Sequence, residues 1–427
     1  MSFDPSLIEQ SIDQAKKWIE AARAYPAPRS ATLLAEALRH EDGLDYTVSF
    51  VDSVIRPEDP KVASDNLKRL AKRDTSFLPA WLAAPAKLGG SLAPTAPKIA
   101  ANAALKVFAA LVGDLVLDVT ADKLGPAIEK LREDGSRLNI NLLGEAVLGD
   151  EEASRRLAAT RELVERADVD YVSLKVSSVI GPHAPFGHRA AVDNAVNKLL
   201  PLFQLAASTG TFINLDMEEY KDLDLTIEVF KHLLDRDDLL HYRAGIVLQA
   251  YLPDAKDCLA DLSQWARRRR AMGGAPIKVR RVKGENLTME RVDALMHGWP
   301  LTVEPTKAMT DANYMAVLSE ALTSENLDAV NIGVAGMNLF SLAYSLNLLK
   351  QRGIQLDERV DVEMLAGMAT PQSQAVRDTI GPLLYYVPVV RPEEYDVAVA
   401  YLVRRLEENA ASENFMSNVF ELDESPV

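Results

Sequence analysis

An α/β chain closed into a (β/α)₈ barrel is the fold the sequence predicts, and three observations carry it. From about residue 120, short strand-like runs alternate with helix-length amphipathic stretches, and that alternation implies parallel pairing. Eight such runs stand out: Leu138–Leu143, Tyr171–Val176, Thr211–Asp216, Gly245–Tyr251, Ile277–Val282, Ala329–Ala335, Val360–Leu365 and Leu384–Val389. Eight strand–helix units are the signature of a barrel. An open doubly wound sheet would normally place a Gly-rich turn after its first strand. None is present, and Leu88-Gly89-Gly90 follows helix-like sequence.

The residues ahead of the barrel read as helical. Residues 1–40 predict helices with a loop at Tyr25-Pro26-Ala27-Pro28, and residues 41–75 continue with a helix start at Pro60-Lys61-Val62. From Phe77 to about Leu117 the chain is rich in Ala, Leu and Pro, and Leu88-Gly89-Gly90 and Ala93-Pro94-Thr95-Ala96-Pro97 break it. That stretch suits a helical arm packed on the main domain or on another subunit. The expected division is an arm over 1–119, a barrel over 120–415 and a tail over 416–427.

Composition narrows the function. With 47 basic and 62 acidic residues the net charge is −15, which argues against a nucleic-acid partner. The run Arg267-Arg268-Arg269-Arg270 closes a helical segment, where cations suit the dipole, and reads as a solvated helix end. One cysteine, Cys258, forbids an internal disulfide and fits a reducing compartment. The first ten residues lack the basic-then-apolar plan of a secretory signal. No apolar run approaches roughly 18 uninterrupted residues, so no membrane span is expected.

Barrel chemistry sits at the carboxyl ends of the strands, and polar residues gather there. Leu142-Leu143-Gly144-Glu145 ends the first strand, Lys175 lies on the second, Asp216 ends the third, and Gln249 lies near the end of the fourth. The fifth runs Lys278-Val279-Arg280-Arg281-Val282-Lys283-Gly284, and the eighth carries Tyr385 and Tyr386. Singly, each has a plainer explanation: a snorkelling lysine, a helix cap, a satisfied backbone. Their joint occurrence at one end of successive strands points to a site.

Near the chain end, Tyr401, Arg404, Arg405 and Glu408 fall on one helix face, opposite Val399, Leu402, Val403 and Leu406. By itself this is an amphipathic helix with a solvated face. Beside the barrel mouth, two adjacent guanidiniums can grip one carboxylate by bidentate bonds. Lys175, Arg404 and Arg405 would converge on a small anion, with Asp216 and Glu408 to orient them. Arg280, Lys283 and Lys307 form a second cationic group suited to a larger, phosphate-bearing ligand. The six histidines show no metal-ligand spacing, and no Gly-x-Ser-x-Gly elbow is present. His183 and His188 share a Gly/Pro loop that reads as a surface turn.

At these residues the chain resembles the proline dehydrogenase domain of bifunctional proline utilization A. The matching stretches are 141–149, 171–177, 214–220, 247–251, 279–284 and 401–409, and the similarity spans essentially 30–420. The resemblance implies a distorted (β/α)₈, TIM-like barrel preceded by an N-terminal helical arm. It implies FAD, held non-covalently, and oxidation of L-proline to Δ1-pyrroline-5-carboxylate by hydride transfer from ring C5 to flavin N5. Electrons would pass to a membrane quinone, in proline catabolism to glutamate. A cytoplasmic protein follows, with room for peripheral contact at the inner membrane face, a homo-oligomer, and an aldehyde dehydrogenase domain beyond this chain.

Carried over by position, Arg404, Arg405 and Lys175 match groups that hold the substrate carboxylate, and Asp216 matches the carboxylate bracing them. Tyr386 and Tyr401 match aromatic walls around the ring, and Leu365 an apolar contact. Arg280 matches the guanidinium beside flavin N5. Gln249, Lys283, Gly284, Thr306, Lys307, Asn338 and Glu408 match other cofactor contacts. The chain departs from the family at three positions in these stretches: Arg281 where Leu is usual, Glu285 where Ala is usual, and Met337 where His is usual. A carboxylate at Glu285 would repel pyrophosphate or pair with Arg281, and Met337 lacks a hydrogen-bonding ring. Two other readings compete with a flavoenzyme. One is a non-catalytic barrel acting as an oligomerisation or membrane-docking module. The other is an aldolase or lyase using Lys175 as a Schiff base.

Overall fold

Eight parallel strands close on themselves in the computed structural model, which describes residues 4–26, 43–55, 57, 59–73, 98–99, 115–144, 147, 149–182, 185–284, 286–391, 394, 398, 401 and 415. The strands are β2 (Arg137–Leu142), β3 (Tyr171–Lys175), β4 (Phe212–Asp216), β5 (Ala244–Gln249), β6 (Ile277–Val282), β7 (Val330–Ala335), β8 (Val360–Leu365) and β9 (Leu384–Val390). They pair in chain order, and β9 closes the ring between β8 and β2. A two-residue strand, β1 (Leu117–Asp118), pairs with the end of β9 at Val389 and Val390. Each of the eight expected runs became one strand, with ends within a residue or two, the margin expected of strand boundaries.

Alternation sorts the strand residues into two layers. The outward set is apolar: Leu138, Ile140, Val172, Leu174, Ile213, Leu215, Ile246, Leu248, Ile277, Val279, Ile332 and Val334 are all buried. Burying each against the surrounding helices contributes roughly 1.5–3 kcal/mol. The inward set is polar. Asn139, Tyr171, Asn214, Lys278, Arg280, Asn331, Asp361 and Glu363 occupy positions that barrels usually give to branched apolar side chains. The core that holds the fold therefore lies between sheet and helices, and the barrel interior is left for charge.

The chain divides into two compact units, one holding 125–365 and 375–387 with the first helix, the other 22–124, 366–374 and 388–427. In the first, the helix Pro5–Ala22 is fixed by Trp18, whose indole N–H donates to Thr379 Oγ1 at 2.8 Å. In the second, the helices Gly43–Phe50 and Pro60–Leu70 pack together, and Asn66 Nδ2 donates to the Ser53 carbonyl at 2.7 Å. Asp59 caps the second of these, accepting from the Lys61 N–H at 2.8 Å ahead of Pro60 in the first turn, as the sequence predicts. Most of the Ala/Pro-rich stretch lies outside the described residues.

The arginine run corrects an expectation. Arg267–Arg270 does lie in the last turns of the helix Ala255–Ala271, but Arg269 is buried rather than solvated. It donates to the carbonyls of Leu234, Leu239 (2.9 Å) and Tyr242 (3.0 Å). Five donors in a planar fork can satisfy several loop carbonyls that no lysine could reach together.

Candidate active site

Parallel register puts Lys175 beside Asp216 at the carboxyl ends of β3 and β4, and Leu365, which ends β8, beside Tyr386 of β9. Asp216 is buried and fully engaged. Asn214 Nδ2 donates to Oδ1 at 2.6 Å, the Tyr386 hydroxyl donates to Oδ2 at 2.9 Å, and Arg280 NH1 stands 3.7 Å from Oδ1. Burial pushes the Asp216 carboxyl above its ordinary value, against the opposing pull of Arg280, Tyr386 and Lys175. The Arg280 guanidinium also lies over the Tyr386 ring, 4.6 Å from its centroid. Lys175 makes its ion pair with Glu218, just beyond β4.

Beneath this rim lies a ladder of charge that sequence reasoning missed. Glu363 on β8 accepts from Arg280 Nε at 2.5 Å and forms an ion pair with Lys278 Nζ at 2.5 Å. Lys278 also reaches Asp361 at 2.6 Å, and Arg137 pairs with the same Asp361. Burial would push the Glu363 carboxyl up, but Lys278 and Arg280 hold it below its ordinary value. For Arg280 burial works against the charge, yet Glu363 and Asp216 outweigh it and hold the guanidinium above its usual value. Lys278 is pulled down by burial to about 8. The signal was present in the sequence: Lys278 and Arg280 alternate with apolar residues on one strand, Asp361 and Glu363 on another.

Further along the rim, Lys283 and Lys307 share Asp311, at 2.5 and 2.7 Å. Thr306 and Asn338 are N-caps; they accept from the N–H groups of Met309 (3.2 Å) and Ser341 (3.1 Å). The helix Lys307–Ala321 thus begins beside two cations, Lys283 and Lys307, an arrangement that favours anions. Gln249 Nε2 donates to the carbonyls of Met217 and Glu218 at 2.9 and 3.1 Å, while its buried Oε1 has no partner among the described residues. Gly284, at φ +112°, lies against the Tyr251 ring, where a Cβ would collide. This donor set fits a phosphate-bearing cofactor: two ammoniums and a helix end for phosphates, and a buried acceptor, Gln249 Oε1, with no partner among the described residues.

Arg404, Arg405 and Glu408 lie outside the described residues, as do Glu285 and His183. Tyr401 is described and buried. Of the departures, Met337 Sδ accepts the Leu365 N–H at 3.3 Å. Arg281 points out of the barrel toward Tyr314, not into the site; it is buried, and none of its nitrogens has a partner among the described residues. No helix among the described residues is long and apolar enough to cross a membrane.

Comparison with known proteins bears on the family and the fold. The family model described as proline dehydrogenase matches residues 124–418. The bifunctional protein PutA of Salmonella typhimurium is 27% identical over 329 residues, which cover 70% of this chain and 24% of that protein. A proline dehydrogenase of Deinococcus radiodurans is 30% identical over 205 residues, 47% of this chain and 57% of that one. The chain thus spans about a quarter of the length of the bifunctional relative. Among solved structures, proline utilization A from Bdellovibrio bacteriovorus, inactivated by N-propargylglycine, superposes with a TM-score of 0.82 at 25% identity, over 98% of this chain and 43% of that one. The Corynebacterium freiburgense protein gives 0.67 at 46% identity, over 74% and 32%. With its whole barrel inside the matched region, the chain belongs to the proline dehydrogenase family.

Proposed function

We propose that this chain oxidises L-proline to Δ1-pyrroline-5-carboxylate with FAD as cofactor and a membrane quinone as final acceptor. The observation that carries the reading is the buried cluster of Arg280, Asp216 and Tyr386 at the barrel mouth, in a chain of this family. When bound, FAD would supply the two-electron redox chemistry.

The chain's own residues bind and orient. Lys175, with Arg404 and Arg405, holds the substrate carboxylate, and Glu218 keeps the lysine in place while it waits. Tyr386, fixed by its hydroxyl on Asp216, presents a ring face beside Leu365, forming an apolar wall for the pyrrolidine. Arg280 places a permanent positive charge where electron density gathers. Gln249, Gly284, Lys283, Lys307 and the helix ends capped by Thr306 and Asn338 hold the cofactor, so that distance and alignment are set before reaction.

The test is an absorbance spectrum of the purified chain before and after anaerobic proline, followed by proline-dependent dye reduction. The expected result is a yellow protein that bleaches with proline, with dye reduction lost in Arg405→Met and strongly weakened in Lys175→Met. A chain that takes up no flavin under any condition would remove the reading. It would leave the non-catalytic module, whose oligomerisation would persist without proline turnover.

A further inference from the structure

The carboxylate of Glu363 lies inside the barrel. It is completely buried, it accepts from Arg280 Nε at 2.5 Å and pairs with Lys278 Nζ at 2.5 Å, and the neighbouring strand β7 leaves space for it. That space is Gly333. A Cβ there would crowd Glu363 Oε1 and stand 2.9 Å from Lys278 Cε. A glycine in the middle of a buried strand weakens the strand, and is expected where something must approach closely. Here it admits an ion pair in place of a side chain.

The consequence falls on Arg280. Its Nε edge is held by Glu363, NH1 faces Asp216 at 3.7 Å, and its plane lies over Tyr386. A guanidinium held on one edge, one corner and one face has a single orientation. Its charge is also offset: Lys278, Arg280 and Arg137 supply three positive charges against three carboxylates, Asp216, Asp361 and Glu363. The interior is balanced, so the loss of any one member leaves an unscreened charge in a low-dielectric barrel.

We propose that Glu363 is a positioning residue that, together with Lys278 and Gly333, orients Arg280 and sets the field it exerts on the cofactor. This rests on the reading of Arg280 as the group beside the flavin. The contacts of Glu363 are with Arg280 and Lys278. It acts through Arg280, and Lys278 acts through Glu363.

The test is the flavin midpoint potential, measured anaerobically against reference dyes in wild type, Glu363→Gln, Lys278→Met and the double variant. Removing the carboxylate leaves one positive charge in excess, which favours the electron-rich reduced cofactor, so Glu363→Gln shifts the potential upward. Removing the ammonium has the opposite sign, so Lys278→Met shifts it downward. The double variant restores the balance and returns toward wild type, whereas structural damage would accumulate. Lys278→Gln serves the same charge test where Lys278→Met does not fold. Shifts of the same sign in both single variants, unmoved potentials, or a double variant further from wild type than either single one would each overturn the proposal. A wild type that takes up no flavin removes the functional reading, and this inference with it; flavin uptake with unmoved potentials removes this inference alone.

Discussion

The Tyr386 hydroxyl donates to Asp216 Oδ2 at 2.9 Å and so ties β9 to β4 across the barrel, between residues 170 positions apart. One bond thereby fixes both the aromatic wall and the carboxylate that faces Arg280. Tyr386→Phe removes the donor and leaves the ring. A hydrogen bond to a charged acceptor is worth about 1.5–3 kcal/mol, so the variant loses stability of that order in urea unfolding. Its kcat/KM for proline falls by roughly tenfold, the equivalent of about 1.4 kcal/mol. Unchanged values of both would show that the hydroxyl is idle.

Gly284 has no room for a side chain. Its φ of +112° is strained for any L-residue, and a Cβ would enter the Tyr251 ring, whose hydroxyl holds the Glu218 carbonyl at 2.8 Å. Gly284→Ala must move that ring, and Glu218 with it. The expected loss is about 1–3 kcal/mol from overpacking alone, read by chemical denaturation, accompanied by weaker flavin retention on gel filtration.

Arg281 is the opposite case, a residue whose removal helps. Burial pulls its guanidinium down to about 9, and none of its nitrogens finds a partner among the described residues. A buried charge without a partner is costly, and apolar replacement of buried charge is often stabilising by about 1–4 kcal/mol. Arg281→Leu is therefore expected to raise the midpoint of thermal unfolding while leaving proline oxidation intact, because the side chain faces the helices. A lower midpoint would mean that the guanidinium contributes net stability.

Lys283 gives a pH signature. Burial pulls its ammonium to about 8 in the folded chain, against the stabilising pull of Asp311, while the unfolded value is about 10.4. Between those values the unfolded chain binds a proton that the folded chain does not, so this group's contribution rises as pH increases through the window. Relative to Lys283→Met, wild type should gain on the order of 2 kcal/mol between about pH 7.5 and about pH 10. Urea unfolding of the cofactor-free protein at the two pH values measures it. A constant difference would mean that the folded pKa is not depressed.

The candidate site was partly legible in the sequence. Lys175, Asp216, Gln249 and Leu365 stand at strand ends as their positions suggested, while Arg280 and Tyr386 lie further inside β6 and β9. Their partners were not legible. Asp216 was the nearest carboxylate to assign to Lys175 by strand order, yet Glu218 takes the ion pair. Thr306 and Asn338 proved to be helix caps, a local role that also suits the cofactor face. Arg269 looked solvated within a charged run, because nothing in the helix pattern shows the carbonyls that the 234–242 loop turns toward it.

By itself, the sequence determined the strands, their parallel order and the end of the barrel that carries the polar residues. These follow from short-range periodicity and turn chemistry, which act within a few residues. Only the tertiary structure decided that Glu363 bridges Lys278 and Arg280, and that Arg280 and Arg281, neighbours in the chain, face a charged interior and an apolar helix layer respectively. Glu363 and Arg280 are 83 positions apart, and no local rule brings them together. Closure of the sheet and its register do, and the low dielectric inside then makes each missing partner expensive.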